Sequence, residues 1–287
     1  LRSGKSVEFL KTTETTEKEL AALMVGYEID MTLERKKVEK GETILSLQNV
    51  RLLPQAEKTV DLEIRAGEIL GIAGVEGNGQ QQLEEMIMGL EKVKCGKIFF
   101  KQEEITGMSV KERCKRGIGY IPSDRYKRAI LPGFSLKDNY LLGNQYKDSY
   151  ARKGMLNQEY IEKKTKELME KFDVRAVNGD QLIGALSGGN QQKLVLSREV
   201  DKDPDLILAC QPVRGLDIGA IKFIHNVLLE LRNQGKAVLL ISAELSDLFQ
   251  LSDRIGVLYK GEMMSLQETE KYTTESISLL MAGKKGV

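Results

Sequence analysis

The stretch "GIAGVEGNGQQQLEEMIMG", residues 71–89, carries the first groups whose types and spacing could do chemistry. An apolar, strand-like run leads into a glycine loop and then into a helical pattern. The backbone N–H groups of Gly74, Val75, Glu76, Gly77, Asn78 and Gly79 could therefore cradle a phosphate at a helix N-terminus. Such a loop needs a Lys for charge on the terminal phosphates, followed by a Ser or Thr hydroxyl for a metal ion. Gln80 and Gln81 stand at those places and supply neither. A second stretch, "LSGGNQQKLVLSREV" at residues 186–200, is better equipped. Ser187 is placed to cap the helix that follows. Gly188 and Gly189 leave their N–H groups unobstructed, which makes that helix start a site for a polyanion.

Other reactive residue types are sparse. His225 is the chain's one histidine and falls in the helical pattern "IGAIKFIHNVLLELRNQG", so a structural or solvent role is expected and metal binding by a histidine pair is excluded. Cys95, Cys114 and Cys210 have no metal-like spacing and sit among core-like or helical residues, which predicts free thiols in a reducing compartment.

The elements that must position these groups follow from periodicity. "ILSLQNV" and "TVDLEIRAG" alternate apolar and polar residues as half-buried strands do. "EILGIAG", "DLILAC" (205–210) and "AVLLIS" (237–242) are continuous apolar runs, as buried parallel strands require. Ser109 with Glu112 forms a capping box for "VKERCKR", and Gly117 ends that helix. Strands alternating with helices imply an α/β fold, a largely parallel sheet covered on both faces. Residues 123–190 break the pattern and read as a helical insertion, with Ile161, Leu168, Met169 and Phe172 on one face of "NQEYIEKKTKELMEKFDV". Between 123 and 153 little helical order is expected, and Tyr126, Ile130, Leu131, Phe134 and Tyr140 read as exposed anchors for a partner.

Composition sets outer limits. The 287 residues are 41% hydrophobic with a formal net charge of +1, enough for a real core and without bias toward nucleic acid. No apolar run approaches the roughly 18 residues of a spanning helix. The two ends resemble each other: residues 1–26 align without a gap with 258–283, and Leu1, Gly4, Thr12, Thr16, Leu23, Met24 and Gly26 match Leu258, Gly261, Thr269, Thr273, Leu280, Met281 and Gly283. Each copy reads as strand, tight turn, strand and capped helix, as a duplicated unit would. Residues 1–26 are then the tail of a preceding copy, and Leu1 in place of Met fits a fragment of a tandem protein.

The order glycine loop, LSGGN, buried strand ending in "QP" and then "GLD" resembles the nucleotide-binding domain of ABC transporters over about residues 43–285. "LSGGNQQK", "GYIPSDRYKRAILPGFSLKDNYLL" and "QPVRGLDIGA" narrow the resemblance to the second half of tandem ATP-binding subunits of bacterial sugar and nucleoside importers, leaning toward the nucleoside branch. It implies an ABC-type P-loop fold: a RecA-like mixed sheet with helices on both faces, an antiparallel β subdomain and a helical subdomain at about 123–190. Residues 1–42 would be the tail of the preceding domain plus a linker.

The departures from the family pattern form a set. Gln80 and Gln81 replace the loop Lys and hydroxyl. Cys210 replaces the Asp that holds Mg²⁺, Gln211 the Glu that polarises water, Ser123 the Gln that reaches the metal and Ala243 the switch His. No aromatic lies between Arg51 and Pro54, where adenine would stack. Each lost charge-assisted contact removes about 1.5–3 kcal/mol, which together implies about two to four decades of affinity. ATP is thus expected to bind weakly or not at all in this half, without hydrolysis, and Mg²⁺ only in the partner half's site. Leu186, Ser187, Gly188, Gly189, Asn190 and Asp217, intact in type, would act across an interface on nucleotide held by an N-terminal nucleotide-binding domain of the same polypeptide. Transmembrane permease subunits would be further partners, at the cytoplasmic face of the cell membrane. The alternative is a non-enzymatic docking and coupling module with vestigial nucleotide elements. An ABC protein of translation or DNA repair is disfavoured by the absence of a basic patch, a long arm or zinc cysteines.

Overall fold

The central strands carry no polar residue because both faces of their sheet are covered. In the computed structural model, which describes residues 35–284 together with Glu8, Phe9, Lys11, Thr15 and Leu33, strands β3 (Ile69–Ala73), β9 (Leu206–Cys210) and β10 (Ala237–Ile241) are buried at every position. They lie in a six-stranded sheet of order β12-β11-β3-β10-β9-β6, with β6 at Ile118–Ile121, β11 at Arg254–Tyr259 and β12 at Glu262–Glu268. The pairs β3–β10, β3–β11, β9–β10 and β6–β9 are parallel, and only β12 runs antiparallel. The expected mixed sheet is observed.

Alternation along these strands divides the core. Ile69, Ile207, Ala209, Val238 and Leu240 face one apolar cluster, shared with the helical lobe and the later helices. Leu70, Ile72, Leu206, Leu208, Cys210 and Leu239 face the other. That second cluster is closed by helix α1 (Gln80–Met88) and by a four-stranded antiparallel sheet of order β2-β1-β4-β5. Its members are β1 (Thr43–Val50), β2 (Val60–Arg65), β4 (Lys97–Phe100) and β5 (Glu103–Glu104). Strand β2 alternates buried and exposed residues, as its sequence requires. Helix α2 (Val110–Lys115) has the predicted capping box, and Gly117 follows it at φ 106°.

The lobe inserted after β6 contains α3 (Arg125–Arg128), α4 (Leu136–Leu141), a hairpin of β7 (Ala151–Arg152) and β8 (Met155–Leu156), and α5 (Gln158–Lys171). Helix α5 buries Ile161 and Leu168, and Phe172 behind it is buried as well. The expectation of little order at 123–153 is corrected: Ser135 and Asp138 form a capping box that starts α4. That helix turns Tyr140 inward to meet Ser197 Oγ at 3.2 Å, leaving it 2% exposed, while Ile130 is 4% exposed. Of the five expected anchors, Tyr126, Leu131 and Phe134 remain at the surface.

Helices α6 (Gly188–Val200), α7 (Ile218–Asn233) and α8 (Leu245–Leu251) complete the sheet's cover. At the C-terminal end, β11 and β12 are joined by Lys260 and Gly261, both at positive φ, the geometry of a two-residue hairpin turn. Helix α9 (Thr274–Met281) follows, capped by Thr273. This is the strand, turn, strand and capped helix expected of the repeat. Its counterpart at 1–26 lies outside the described residues, apart from Glu8, Phe9, Lys11 and Thr15. Among the described residues no helix is long and apolar enough to cross a membrane.

Candidate functional site

Strand β3 delivers the glycine loop to the edge of the sheet, and α1 begins as soon as the loop ends. Gly77 at φ 90° and Gly79 at φ 109° hold backbone that other residues resist. Asn78 pins the loop to the β11–β12 turn: its carbonyl accepts from Gly261 N at 2.9 Å and its Oδ1 from Lys260 N at 2.9 Å. The loop also binds itself. Gln80 folds back over Gly74, so that its Nε2 donates to Val75 O at 3.1 Å, while its Oε1 is buried without a partner. An amide therefore lies across the cradle where a lysine would have projected. Gln81, one residue on, donates Nε2 to Glu85 Oε1 at 2.8 Å.

A cleft of about 740 Å³ opens at this loop and brings together the altered positions: Gln80, Gln81, Ser123, Cys210, Gln211 and Ala243 all line it. Gln211 sits at φ 48° just past β9, and its Oε1 accepts from Ala243 N at 3.3 Å, so two of these positions bond to each other. Neither can take a proton from water. Beside them Ser242 Oγ donates to Asp247 Oδ2 at 2.9 Å, and the 1% exposed His225 faces Asp247 Oδ1 at 3.3 Å from within the core. The histidine is structural, as expected.

The floor of the cleft holds a group that the sequence reading missed. Glu84, 3% exposed on α1, accepts from the Tyr120 hydroxyl, from Ser123 N at 3.3 Å and from Ser123 Oγ at 3.5 Å. Burial, then the charge and hydrogen bond of Glu84, push the Cys210 thiol well above its ordinary pKa. Burial and the same carboxylate raise the Tyr120 phenol. Glu85, one residue on, pairs with Arg128 of α3. The available signal was the i, i+4 spacing of Gln80 with Glu84 and Gln81 with Glu85, which puts each carboxylate one turn beyond the loop. At the other end of α1, the buried Arg113 donates to Met86 O at 2.6 Å and Ile87 O at 2.7 Å, a cation at the helix C-terminus.

The second motif lies elsewhere. Leu186, Ser187, Gly188, Gly189, Asn190 and Asp217 do not line the cleft. Ser187 caps α6 as expected, accepting from Asn190 N at 3.5 Å and Asn190 Nδ2 at 3.1 Å. The first turn of α6 carries no acidic residue. The buried amide of Gln191 is fixed by donating to Leu186 O at 3.1 Å and Ile183 O at 3.3 Å, and its Oε1 accepts from Arg125 Nε at 3.2 Å. Arg125 is thereby laid against Gly188. Asp217 caps α7, accepting from Ala220 N at 2.9 Å, and its carboxylate lies beside Gly189. The three cysteines are free; Cys210 is buried, while Cys95 is exposed rather than core-like.

Residues 57–214, more than half of the 287, match the family described as ABC transporter. The chain belongs to that family. It is 39% identical over 287 residues to the guanosine import ATP-binding protein NupO of Bacillus subtilis, covering 99% of this chain and 56% of that protein. It is 36% identical to the nucleoside import ATP-binding protein NupA of Lactococcus lactis (99% and 57%) and 37% identical to the glucose import ATP-binding protein TsgD13 of Haloferax volcanii (99% and 52%). The chain thus spans about half the length of the curated relatives it matches. Among solved structures, the ATP-binding cassette MJ1267 of an ABC transporter superposes with a TM-score of 0.68 at 22% identity, covering 84% of this chain and 96% of that one. A dimeric cassette, MJ0796, bound to ADP and Pi gives 0.67 at 23% identity, covering 80% and 100%. At those identities the likeness establishes the fold, a P-loop ABC nucleotide-binding domain.

Proposed function

We propose that this chain is the degenerate second nucleotide-binding domain of an ABC importer ATP-binding subunit, with residues 43–285 as the domain and 1–42 as the tail of a preceding domain plus linker. Its task is to present Ser187, Gly188, Gly189 and Asn190, with Asp217 beside them, to nucleotide held by the N-terminal domain of the same polypeptide. The observation that carries this reading is the contrast between two surfaces. The helix start at α6 is capped, carries no acidic residue in its own first turn and holds Arg125 against Gly188, which suits a polyanion, whereas the cleft at residues 74–81 contains no group able to take a proton from water at Gln211 or Ala243. Mg²⁺ and the hydrolytic step then belong to the partner half, and ATP binds weakly or not at all in this half's cleft.

The named relatives import guanosine, nucleosides and glucose; a nucleoside or sugar importer at the cytoplasmic face of the membrane, working with transmembrane permease subunits, is the assembly we propose here. Exposed Tyr126, Leu131 and Phe134 on the lobe suit the permease contact. They are also what the alternative, a pure docking and coupling module, would need. Ser187→Arg in the complete tandem protein separates the two: the first reading expects ATP turnover to collapse, and unchanged turnover would leave only the docking role.

A further inference from the structure

The fold family places a divalent metal at the phosphate loop, and the residues here do not fit one. A metal ion needs a converging set of acceptor oxygens, and here one oxygen of Glu84 is already taken by donors while the unpartnered Gln80 Oε1 is a single neutral acceptor. The Tyr120 hydroxyl, Ser123 N at 3.3 Å and Ser123 Oγ at 3.5 Å converge on one oxygen of Glu84, and the Cys210 thiol is close enough to that carboxylate for its charge to act on it. Cys210 is fully buried and its pKa is pushed well up by that burial and then by Glu84, so it remains a thiol rather than a thiolate ligand. Gln81, at the hydroxyl position, has its amide on Glu85. Among the described residues no group of three or more His, Cys, Asp or Glu is placed to hold a metal ion. A cation approaching that oxygen would have to displace the Tyr120 and Ser123 donors and face their positive ends.

Charge points the same way for the polyphosphate that would accompany the metal. Six acidic residues line the cleft against three basic ones, Lys127, Arg128 and Arg214, and Arg128 is already paired with Glu85. The loop's own concavity is crossed by the Gln80 amide.

Resting on the reading that this is the degenerate half, we infer that its cleft takes neither a divalent metal nor a metal-bound nucleoside polyphosphate, and that the Glu84 carboxylate instead holds α1, the end of β6 and the strand end at Cys210 together. The lobe, which begins at Ser123, is then tied to the loop helix from within: Glu84 reaches Tyr120 and Ser123, and Glu85 reaches Arg128. Its placement on the core needs no ligand.

The test uses the 287-residue chain itself. Mn²⁺ titration followed by the paramagnetic resonance of the free ion, and calorimetry with Mg-ATP, are expected to show no binding with a Kd below about 100 µM, equivalent to roughly 5.5 kcal/mol; either ligand binding more tightly than that overturns the inference. Glu84→Gln keeps the shape and removes the charge, so amide exchange at residues 120–128 should quicken about tenfold, the usual worth of a charge-assisted hydrogen bond. Exchange left unchanged there in a folded variant overturns the tying role. Should the variant fail to fold, the two titrations on the unaltered chain still decide the metal and nucleotide claims. Every readout is on this chain alone. A negative result for Ser187→Arg in the tandem protein would therefore sink the signature reading without moving these measurements, and tight Mg-ATP binding here would leave that reading standing.

Discussion

The loop at residues 74–81 and the turn at 186–190 both present helix N-terminal N–H groups, yet their surroundings differ in kind. Around the first, side chains of the chain itself have moved in: Gln80 bonds back to Val75 O, Gln81 to Glu85, and Glu84 collects the donors of Tyr120 and Ser123. Around the second, the side chains of Ser187, Asn190 and Gln191 brace the turn, Gln191 holds the Arg125 guanidinium beside Gly188, and the Asp217 carboxylate lies beside Gly189. A polyanion meets an acidic cleft crossed by the Gln80 amide in one case and, in the other, a helix start with no acidic residue in its first turn, flanked by Arg125 and by Asp217. On the proposed reading, a nucleotide motif can be closed by internal bonds as well as by the loss of catalytic residue types, with the scaffold kept.

The largest effect expected from perturbing this contrast comes from reopening the first region. Gln80→Lys with Gln81→Ser removes the amide from the cradle and returns a charge and a hydroxyl, which should tighten ATP by about one to three decades at 1–3 kcal/mol per contact. Calorimetry on the double variant checks it. Phosphate release should stay at background, because Cys210, Gln211 and Ala243 are untouched; turnover would mean that their assigned roles are mistaken.

A smaller effect concerns the frame both regions share. Asp253 accepts from Ile69 N at 2.8 Å at the start of β3, pairs with Arg232 at 2.7 and 2.9 Å and with Arg35 at 2.7 Å. Burial alone would raise its carboxyl, but the hydrogen bonds and charge of Arg232, together with Ile69 N–H and Arg35, outweigh it and hold the group below its usual value. A depressed folded pKa stabilises the fold above the unfolded value of about 3.9, and the contribution is lost as pH falls toward the folded value. Urea melts of Asp253→Asn should therefore show a deficit of about 1–3 kcal/mol at pH 7 that shrinks below about pH 4. A deficit independent of pH would assign the loss to packing.

The smallest signal is the third. With a permease present, cysteines at 126, 131 and 134 should crosslink to it more strongly than cysteines on α5, at 158–172; equal yields would remove the lobe's proposed contact.

What the sequence made legible was local. The two capping serines, Ser109 and Ser187, each sit where spacing put them, and the three apolar runs are the central strands because continuous burial leaves no other pattern. The Ser135–Asp138 capping box is equally local, and the helix it starts carries Tyr140 inward, against the exposure that the apolar run 126–140 suggests by composition alone. For Glu84 the sequence offers only its place one turn beyond Gln80; its partners, Tyr120 and Ser123, lie 36 and 39 positions away and meet it only once β6 is laid beside α1. Arg125 and Gln191 are separated by 66 positions and join for the same reason.

The central claim is that turnover in the assembled protein depends on this chain's signature and not on its own cleft. Phosphate release by the complete tandem protein, measured side by side for Ser187→Arg and Gln211→Ala, tests it most directly. We predict that Ser187→Arg lowers turnover by at least about a hundredfold, the scale of losing the groups that meet transition-state charge, while Gln211→Ala leaves it within about twofold. Turnover that survives at Ser187→Arg, or collapses at Gln211→Ala, would contradict the account.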